Sequence, residues 1–175
     1  TILGALPYIC SGTCRGIDDS GKPIRMTVFD AIFESASGYS GTGATVLADV
    51  ENPDLVPRSV LFWRSETHFL GGLGIVVLFV AILGMGSAGK QLIRAEVATP
   101  TQTSTHEQTR RAAMAFGTVF VVLNLILTFL LMIQGLSIYD AICHAFGTVA
   151  TAGFSTYNDS IGHFKSPLID FTVVL

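Results

Sequence analysis

Ala112-Ala113-Met114-Ala115-Phe116-Gly117-Thr118-Val119-Phe120-Val121-Val122-Leu123-Asn124-Leu125-Ile126-Leu127-Thr128-Phe129-Leu130-Leu131 opens a stretch, residues 112–139, that holds no Asp, Glu, Lys or Arg. A helix of about 20 such residues crosses the hydrocarbon core of a bilayer, whereas a helix on a soluble core keeps a polar face. Residues 67–89 form a second uncharged stretch. Two of them in so short a chain predict a helical membrane protein. Each has a companion: Val28 to Tyr39 and Ile138 to Ala150 are apolar, carry one Asp near the start and are too short to span. They run into Ser40-Gly41-Thr42-Gly43-Ala44-Thr45 and Thr151-Ala152-Gly153-Phe154-Ser155-Thr156. This is the layout of re-entrant pore helices followed by filter loops.

Composition agrees. Half of the 175 residues are hydrophobic and 13% are charged, with a mean hydropathy of +0.58. A net charge of −3 gives no basic footprint for nucleic acid. Cys10, Cys14 and Cys143 do not have the four-ligand pattern of a structural zinc site. Cys10 and Cys14 are close enough in sequence to pair in an oxidising compartment or to stay as thiols. G-x-S-x-G, H-E-x-x-H and paired carboxylates in a polar setting are all missing, so no enzyme is expected. Gly84-Met85-Gly86-Ser87-Ala88-Gly89-Lys90 fits a dinucleotide fingerprint, but it follows a run too long for a strand and precedes no helix pattern. Gly71, Gly72, Gly74, Gly84 and Gly86 are better read as sites of close helix packing or of a local break in the span.

Residues 1–8 read as the tail of a spanning helix and 9–27 as an extramembrane loop. Asp49-Val50-Glu51-Asn52-Pro53-Asp54 is an acidic exit turn, and Pro57 suits the start of a helix over 58–86. Residues 87–111 carry Lys90, Arg94, Arg110 and Arg111 against Glu96 and Glu107, which makes them the expected cytoplasmic loop. The second span follows over 112–134, and 165–175 opens a third. The chain is therefore expected to be a fragment of a longer protein, organised as 1–88 (end of one helix, pore loop, second helix), 89–111 (cytoplasmic loop) and 112–175 (helix, pore loop, start of the next helix).

An internal repeat emerges at an offset of 110 residues, which aligns Asp30-Ala31-Ile32 with Asp140-Ala141-Ile142, Gly43 with Gly153, Asp49 with Asp159 and Pro57 with Pro167. These are six identities in the 30 positions from Val28 to Pro57, and they fall at helix start, loop glycine, exit turn and the next proline. Parallel repeats of this kind are a device of transporters.

Backbone outside helices is tolerated at membrane depth only where protein buries it or water lines it. Two such loops at equivalent places imply a pore, in which carbonyls replace the hydration shell of a cation and glycine lets them turn inward. Gly43 and Gly153 are the residues expected in that role. The C-terminal ends of both short helices would add the negative ends of their dipoles. Asp30 and Asp140 are expected to cap helix N-termini. Glu34, its equivalent His144, and His68 are expected to be hydrogen-bonded among helices, although an ionisable group in a membrane segment is also a functional candidate.

Phe29-Asp30-Ala31-Ile32-Phe33-Glu34-Ser35 through Thr42-Gly43-Ala44-Thr45-Val46-Leu47, Leu61-Phe62-Trp63-Arg64-Ser65 with Gly71-Gly72-Leu73-Gly74, and Asp140 to His144 with Thr148 to Thr156 together resemble the Trk/Ktr/HKT potassium transporters. The TrkH-type branch is nearest, and the similarity covers nearly the whole chain. The resemblance implies an all-α membrane protein, four helix–pore-helix–helix repeats in a pseudo-fourfold ring around one potassium path, of which this chain would hold most of the first and most of the second. It implies potassium uptake, with a sodium-permeable or other monovalent cation transporter of the same superfamily as the alternative. It places the selectivity filters at Gly41, Thr42, Gly43 and Ala44 and at Thr151, Ala152, Gly153 and Phe154, with potassium at Thr42, Gly43, Ala152 and Gly153. It further implies a multi-pass protein of a bacterial inner membrane, a homodimer, a cytosolic nucleotide-binding regulatory subunit of the TrkA type, and no resident cofactor. Ser40-Gly41-Thr42 departs from the run of threonines that often precedes the family's first filter.

Overall fold

In the computed structural model, which describes residues 2–85 and 105–174, the chain runs through α1 (Leu6–Cys10), β1 (Cys14–Ile17), β2 (Pro23–Arg25), α2 (Val28–Ser40), α3 (Arg58–Met85), α4 (Thr105–Ile133), α5 (Ile138–Val149) and α6 (Pro167–Val174). Short 3-10 turns at Leu3–Ala5 and Ser160–Phe164 complete the order. The described residues divide into two compact units, Thr1–Gly72 with Asn124–Leu175, and Leu73–Leu123.

The two short helices start alike. Thr27 caps α2 in a reciprocal capping box: its hydroxyl accepts from the Asp30 amide at 3.1 Å, and its own amide donates to Asp30 Oδ2 at 2.9 Å. Ser137 caps α5 by accepting from the Asp140 amide at 3.1 Å. The N-caps are thus Thr27 and Ser137 rather than the expected Asp30 and Asp140, which lie three residues further on, in the first turn near the positive end of each helix. The backbone donor at Thr27 is the main reason the Asp30 carboxyl is held below the usual carboxylate range.

The first unit is held by helix crossings that glycine makes narrow. A Cβ on Gly38 would collide with the Thr67 side chain, and one on Gly71 with the backbone carbonyl of Tyr39. The end of α2 therefore lies directly on α3, as small residues permit. Gly71 acts in close packing as the sequence suggested. Trp63 of α3 donates to the Gly4 carbonyl at 3.0 Å, and Tyr8, Ala31, Val56 and Val60 are buried in the cluster between these elements. A second cluster, Leu127, Leu131, Ala141, Ala145 and Ile169, joins the end of α4 to α5 and α6.

Residues 9–27, expected to be loop, contain an antiparallel hairpin, so the chain is mostly helical rather than all-α. The pairs are Cys14 with Arg25, Gly16 with Ile24 and Ile17 with Pro23, with an irregularity between Cys14 and Gly16. Asp18 closes the turn by accepting from the Ser20 and Lys22 amides at 2.9 and 2.7 Å. The strands are too short to show alternation in the sequence, and their outer bonds come from far along the chain: Cys14 donates to Leu55 at 2.9 Å and Ala48 to Arg15 at 2.7 Å. Cys10 is exposed, Cys14 and Cys143 are buried, and all three are free thiols.

In the second unit, Val80 and Phe120 are buried, and a Cβ on Gly117 would meet Leu73 at an ordinary 3.6 Å. Among the described residues one helix segment, Arg110–Ile133, is long and apolar enough to cross a membrane. The other expected span runs into residues 86–104, which lie outside the described residues, as do most of the expected cytoplasmic loop 89–111 and of the glycine-rich motif at 84–90. The burial pattern inverts that of a soluble domain. Glu34, Arg64, Thr67 and His68 are buried while Leu125, Phe129 and Ile133 are exposed, as expected where the surroundings are hydrocarbon and polar groups must find partners inside.

Candidate functional site

Both short helices hand over to their loops with the same hydrogen bonds, 110 residues apart. After α2, Gly41 N–H donates to Gly38 at 3.2 Å and Thr42 N–H to Ser37 at 3.1 Å. After α5, Thr151 N–H donates to Thr148 at 2.9 Å and Ala152 N–H to Gly147 at 2.8 Å. The residue that makes the turn is left-handed in each, Gly41 with φ 72° and Thr151 with φ 54°. This is the paired-bond ending that satisfies the last carbonyls of a helix. The chain then leaves each helix end without regular secondary structure.

The two loops meet at their glycines. A Cβ on Gly43, whose φ is +71°, would lie 2.7 Å from both the N and the Cα of Gly153. A Cβ on Gly153 would meet Gly43 Cα at 3.6 Å, and one on Gly41 would meet the Ala150 carbonyl at 3.7 Å. Gly41, Gly43, Ala152 and Gly153 are thus brought into one patch, with Thr42, Ala44 and Thr151 exposed beside it. Phe154 differs from the others: its side chain is buried, so only its backbone is available to an ion. Two open concavities flank the patch, of about 310 Å³ along α5 and Thr151 to Phe154 and about 210 Å³ along Gly43, Thr45, Arg64 and Gly153.

Behind the loops the supports are also spaced alike. Glu34 Oε1 accepts from the Thr45 hydroxyl at 2.5 Å and the Val46 amide at 2.6 Å. His144 Nε2 bonds the Ser155 hydroxyl at 3.0 Å, while its Nδ1 lies 2.8 Å from the Asp140 carbonyl. Each helix therefore holds its loop through a side chain eleven residues before the bonded hydroxyl. Asp140, in the first turn of α5, also braces the second loop, accepting from the Thr156 hydroxyl at 3.0 Å and from the Tyr157 hydroxyl at 3.2 Å. Glu34, His68 and His144 are all hydrogen-bonded among helices and loops, as expected.

Sequence reasoning missed two residues. Arg64 is buried and forms an ion pair with Glu34 at 3.3 Å. Removing one member of such a pair leaves a buried charge, a loss of about 3–5 kcal/mol. The signal was there, since Arg64 is the last charged residue but one before an uncharged span, but nothing local names its partner. Asn158 ties the exit turns together: its Oδ1 accepts from Val50 at 2.9 Å, its Nδ2 donates to Asp49 at 2.8 Å, and its amide donates to Glu51 at 2.9 Å. The Asn158 bond is the largest of the causes that hold the Asp49 carboxyl below the usual range. Among the described residues no group of three or more His, Cys, Asp or Glu is arranged to hold a metal ion.

Two helix-ended loops thus meet at glycine backbone and are backed by buried polar groups. The family model of the TrkH cation transport proteins matches residues 9–175, and the chain belongs to that family. It is 37% identical to the Trk system potassium uptake protein TrkH of Escherichia coli K12, a match over 99% of this chain and 34% of that protein. It is 32% identical to an uncharacterised cation transporter of Methanocaldococcus jannaschii, over 83% of this chain and 29% of the relative. Among solved structures, the crystal structure of the potassium transporter TrkH from Vibrio parahaemolyticus superposes with a TM-score of 0.72 at 32% identity, covering 98% of this chain and 31% of that one. The chain thus spans about a third of the length of the relatives it matches (34% for the first).

Proposed function

We propose that this chain forms the first two pore-loop repeats of a potassium uptake transporter, with residues 1–88 and 112–175 as the repeats and 89–111 as the cytoplasmic link. The observation that carries this reading is the pair of equivalent loops meeting at Gly43 and Gly153. Carbonyls of Thr42, Gly43, Ala152 and Gly153 line part of a path in which they replace the water shell of potassium, and the C-terminal ends of α2 and α5 favour a cation there. Two further repeats of the full-length protein close the ring. Family membership supports a bacterial inner-membrane location, a dimer and a cytosolic nucleotide-binding regulatory subunit. The second reading, a sodium-permeable or other monovalent cation path, is favoured by the glycine at position 41, which departs from a threonine run in the first filter.

The test is uptake by the full-length protein in cells lacking their own potassium uptake. Potassium flux well above sodium flux is expected; equal fluxes would favour the second reading, and no flux of either would overturn both. Residues 1–175 expressed alone should carry no flux, because unpartnered filter backbone in lipid costs several kcal/mol. A lone cysteine in place of Thr101 should react with an impermeant thiol reagent from the cytoplasmic side only; labelling from outside would invert the topology.

A further inference from the structure

We infer that Arg64 and His68, one turn apart on α3, form a clamp that fixes the two filter loops against each other and thereby sets ion discrimination; the inference rests on the transport reading above. Both side chains hold Phe154 of the second loop. The Arg64 guanidinium carbon lies 4.0 Å from the Phe154 ring centre, and the His68 ring centre lies 4.3 Å from it. Both also hold the first pore helix α2, and Arg64 its loop. Arg64 pairs with Glu34 at 3.3 Å and donates to the Thr45 hydroxyl at 3.1 Å and to the Ser155 carbonyl at 3.5 Å. His68 Nδ1 lies 2.8 Å from the Gly38 carbonyl in the last turn of α2, and the Phe154 N–H donates to its Nε2 at 3.1 Å.

The hydrogen bonds fix the chemistry of each member. An amide hydrogen aimed at Nε2 requires a bare nitrogen there, so His68 is neutral with its proton on Nδ1, donating to Gly38. Protonating Nε2 or replacing the ring removes the only side-chain acceptor shown for the Phe154 amide, which adjoins Gly153. Arg64 needs its planar fork, because one ammonium point cannot reach Glu34, Thr45 and the Ser155 carbonyl while covering an aromatic face. Glu34 in turn holds Thr45 and Val46. Through these two residues the backbone just beyond Gly43 and the backbone at Gly153 share one support, and a filter held to a fraction of an ångström is what discrimination between similar ions needs. Arg64 and His68 touch no ion; they are positioning residues.

The experiment uses the full-length protein and reads the ratio of half-saturating concentrations for potassium and sodium uptake, which a uniform loss of folded protein leaves unchanged. Arg64→Lys keeps a charge for Glu34 but loses the fork and the stacking. His68→Phe keeps an aromatic ring against Phe154 but loses both hydrogen bonds. Each should lower discrimination by about tenfold, the scale of one lost hydrogen bond to a buried group. Thr101→Ser should leave the ratio at the parent value. If the parent protein carries no ion, the transport reading has failed. If the parent discriminates and both variants match its ratio, the clamp is overturned. It is equally overturned if neither variant reaches the membrane, since the residues then hold the fold as a whole rather than the filter.

Discussion

The loop after α2 and the loop after α5 leave their helices with the same bonds, yet glycine does different work in each. The first uses glycine with a left-handed φ at both 41 and 43 (72° and 71°); the second turns at Thr151 (54°) and passes through Gly153 without a positive φ. Gly43 is required twice, by its backbone conformation and by the approach of Gly153, whereas a Cβ on Gly153 would meet Gly43 Cα at an ordinary 3.6 Å. The supports differ as well. A carboxylate holds the first loop and brings a buried arginine with it, while a histidine bonded to a backbone carbonyl holds the second. Positions 110 residues apart therefore carry unequal constraints, and the first loop is the more exacting of the two.

The largest test of that inequality compares alanine at the two glycines in the full-length protein. Gly43→Ala adds a Cβ 2.7 Å from the Gly153 backbone and costs about 1–2 kcal/mol for the left-handed backbone alone, so potassium uptake should be abolished. Gly153→Ala should retain measurable uptake, and Gly153→Ser should lower the potassium-to-sodium uptake ratio at near-normal membrane abundance. Equal loss of uptake at 43 and 153 would break the comparison. An unchanged ratio in well-inserted Gly153→Ser would remove the second loop from the filter.

A smaller effect is expected at the helix-ending turns. Gly41→Ala should lower the stability of the purified full-length protein by about 1–2 kcal/mol, because a side chain is forced into the left-handed region. Thr151→Gly should be neutral or stabilising by up to about 1 kcal/mol, since it releases that strain at the expense of chain entropy. Thermal unfolding in detergent reads both. Opposite signs support the idea that the second loop stores strain which the first avoids by using glycine.

The smallest effect concerns the Asn158 tether between the two exit turns. Asp49 has a lowered folded pKa, so its contribution is complete above the ordinary carboxylate range and is lost as pH falls through the lower folded value. In Asn158→Ala the Asp49 carboxyl should titrate at higher pH than in the parent, as followed by carbon NMR of labelled protein. An identical titration would show that Asn158 does not govern that carboxyl.

Much of this arrangement is legible in the chain. The observed bounds Val28–Ser40, Arg58–Met85 and Ile138–Val149 lie within about two residues of those read from pattern and caps, whereas α4 begins at Thr105, inside the expected 89–111 loop and ahead of the span expected over 112–134. The 110-residue offset selects Gly43 and Gly153 before any coordinates are consulted. The hairpin at Cys14–Ile17 and Pro23–Arg25 was not legible, because its outer bonds come from Ala48 and Leu55. Arg64 was visible as a charge beside a span, but its partners stand 30 residues earlier in Glu34 and 91 residues later in Ser155.

By itself the sequence determined the periodic and local features: which stretches are apolar enough for lipid, that Asp30 and Asp140 stand at helix starts, and which glycines recur. Those depend on composition and on contacts within a few residues. Only the tertiary structure decided that Gly43 abuts Gly153, that Arg64 reaches both loops while His68 joins the end of α2 to the second, and that Asn158 joins the exit turns. Such contacts join residues tens to more than a hundred positions apart. Their geometry follows from how closely helices pack at Gly38 and Gly71, and no window along the chain contains that distance.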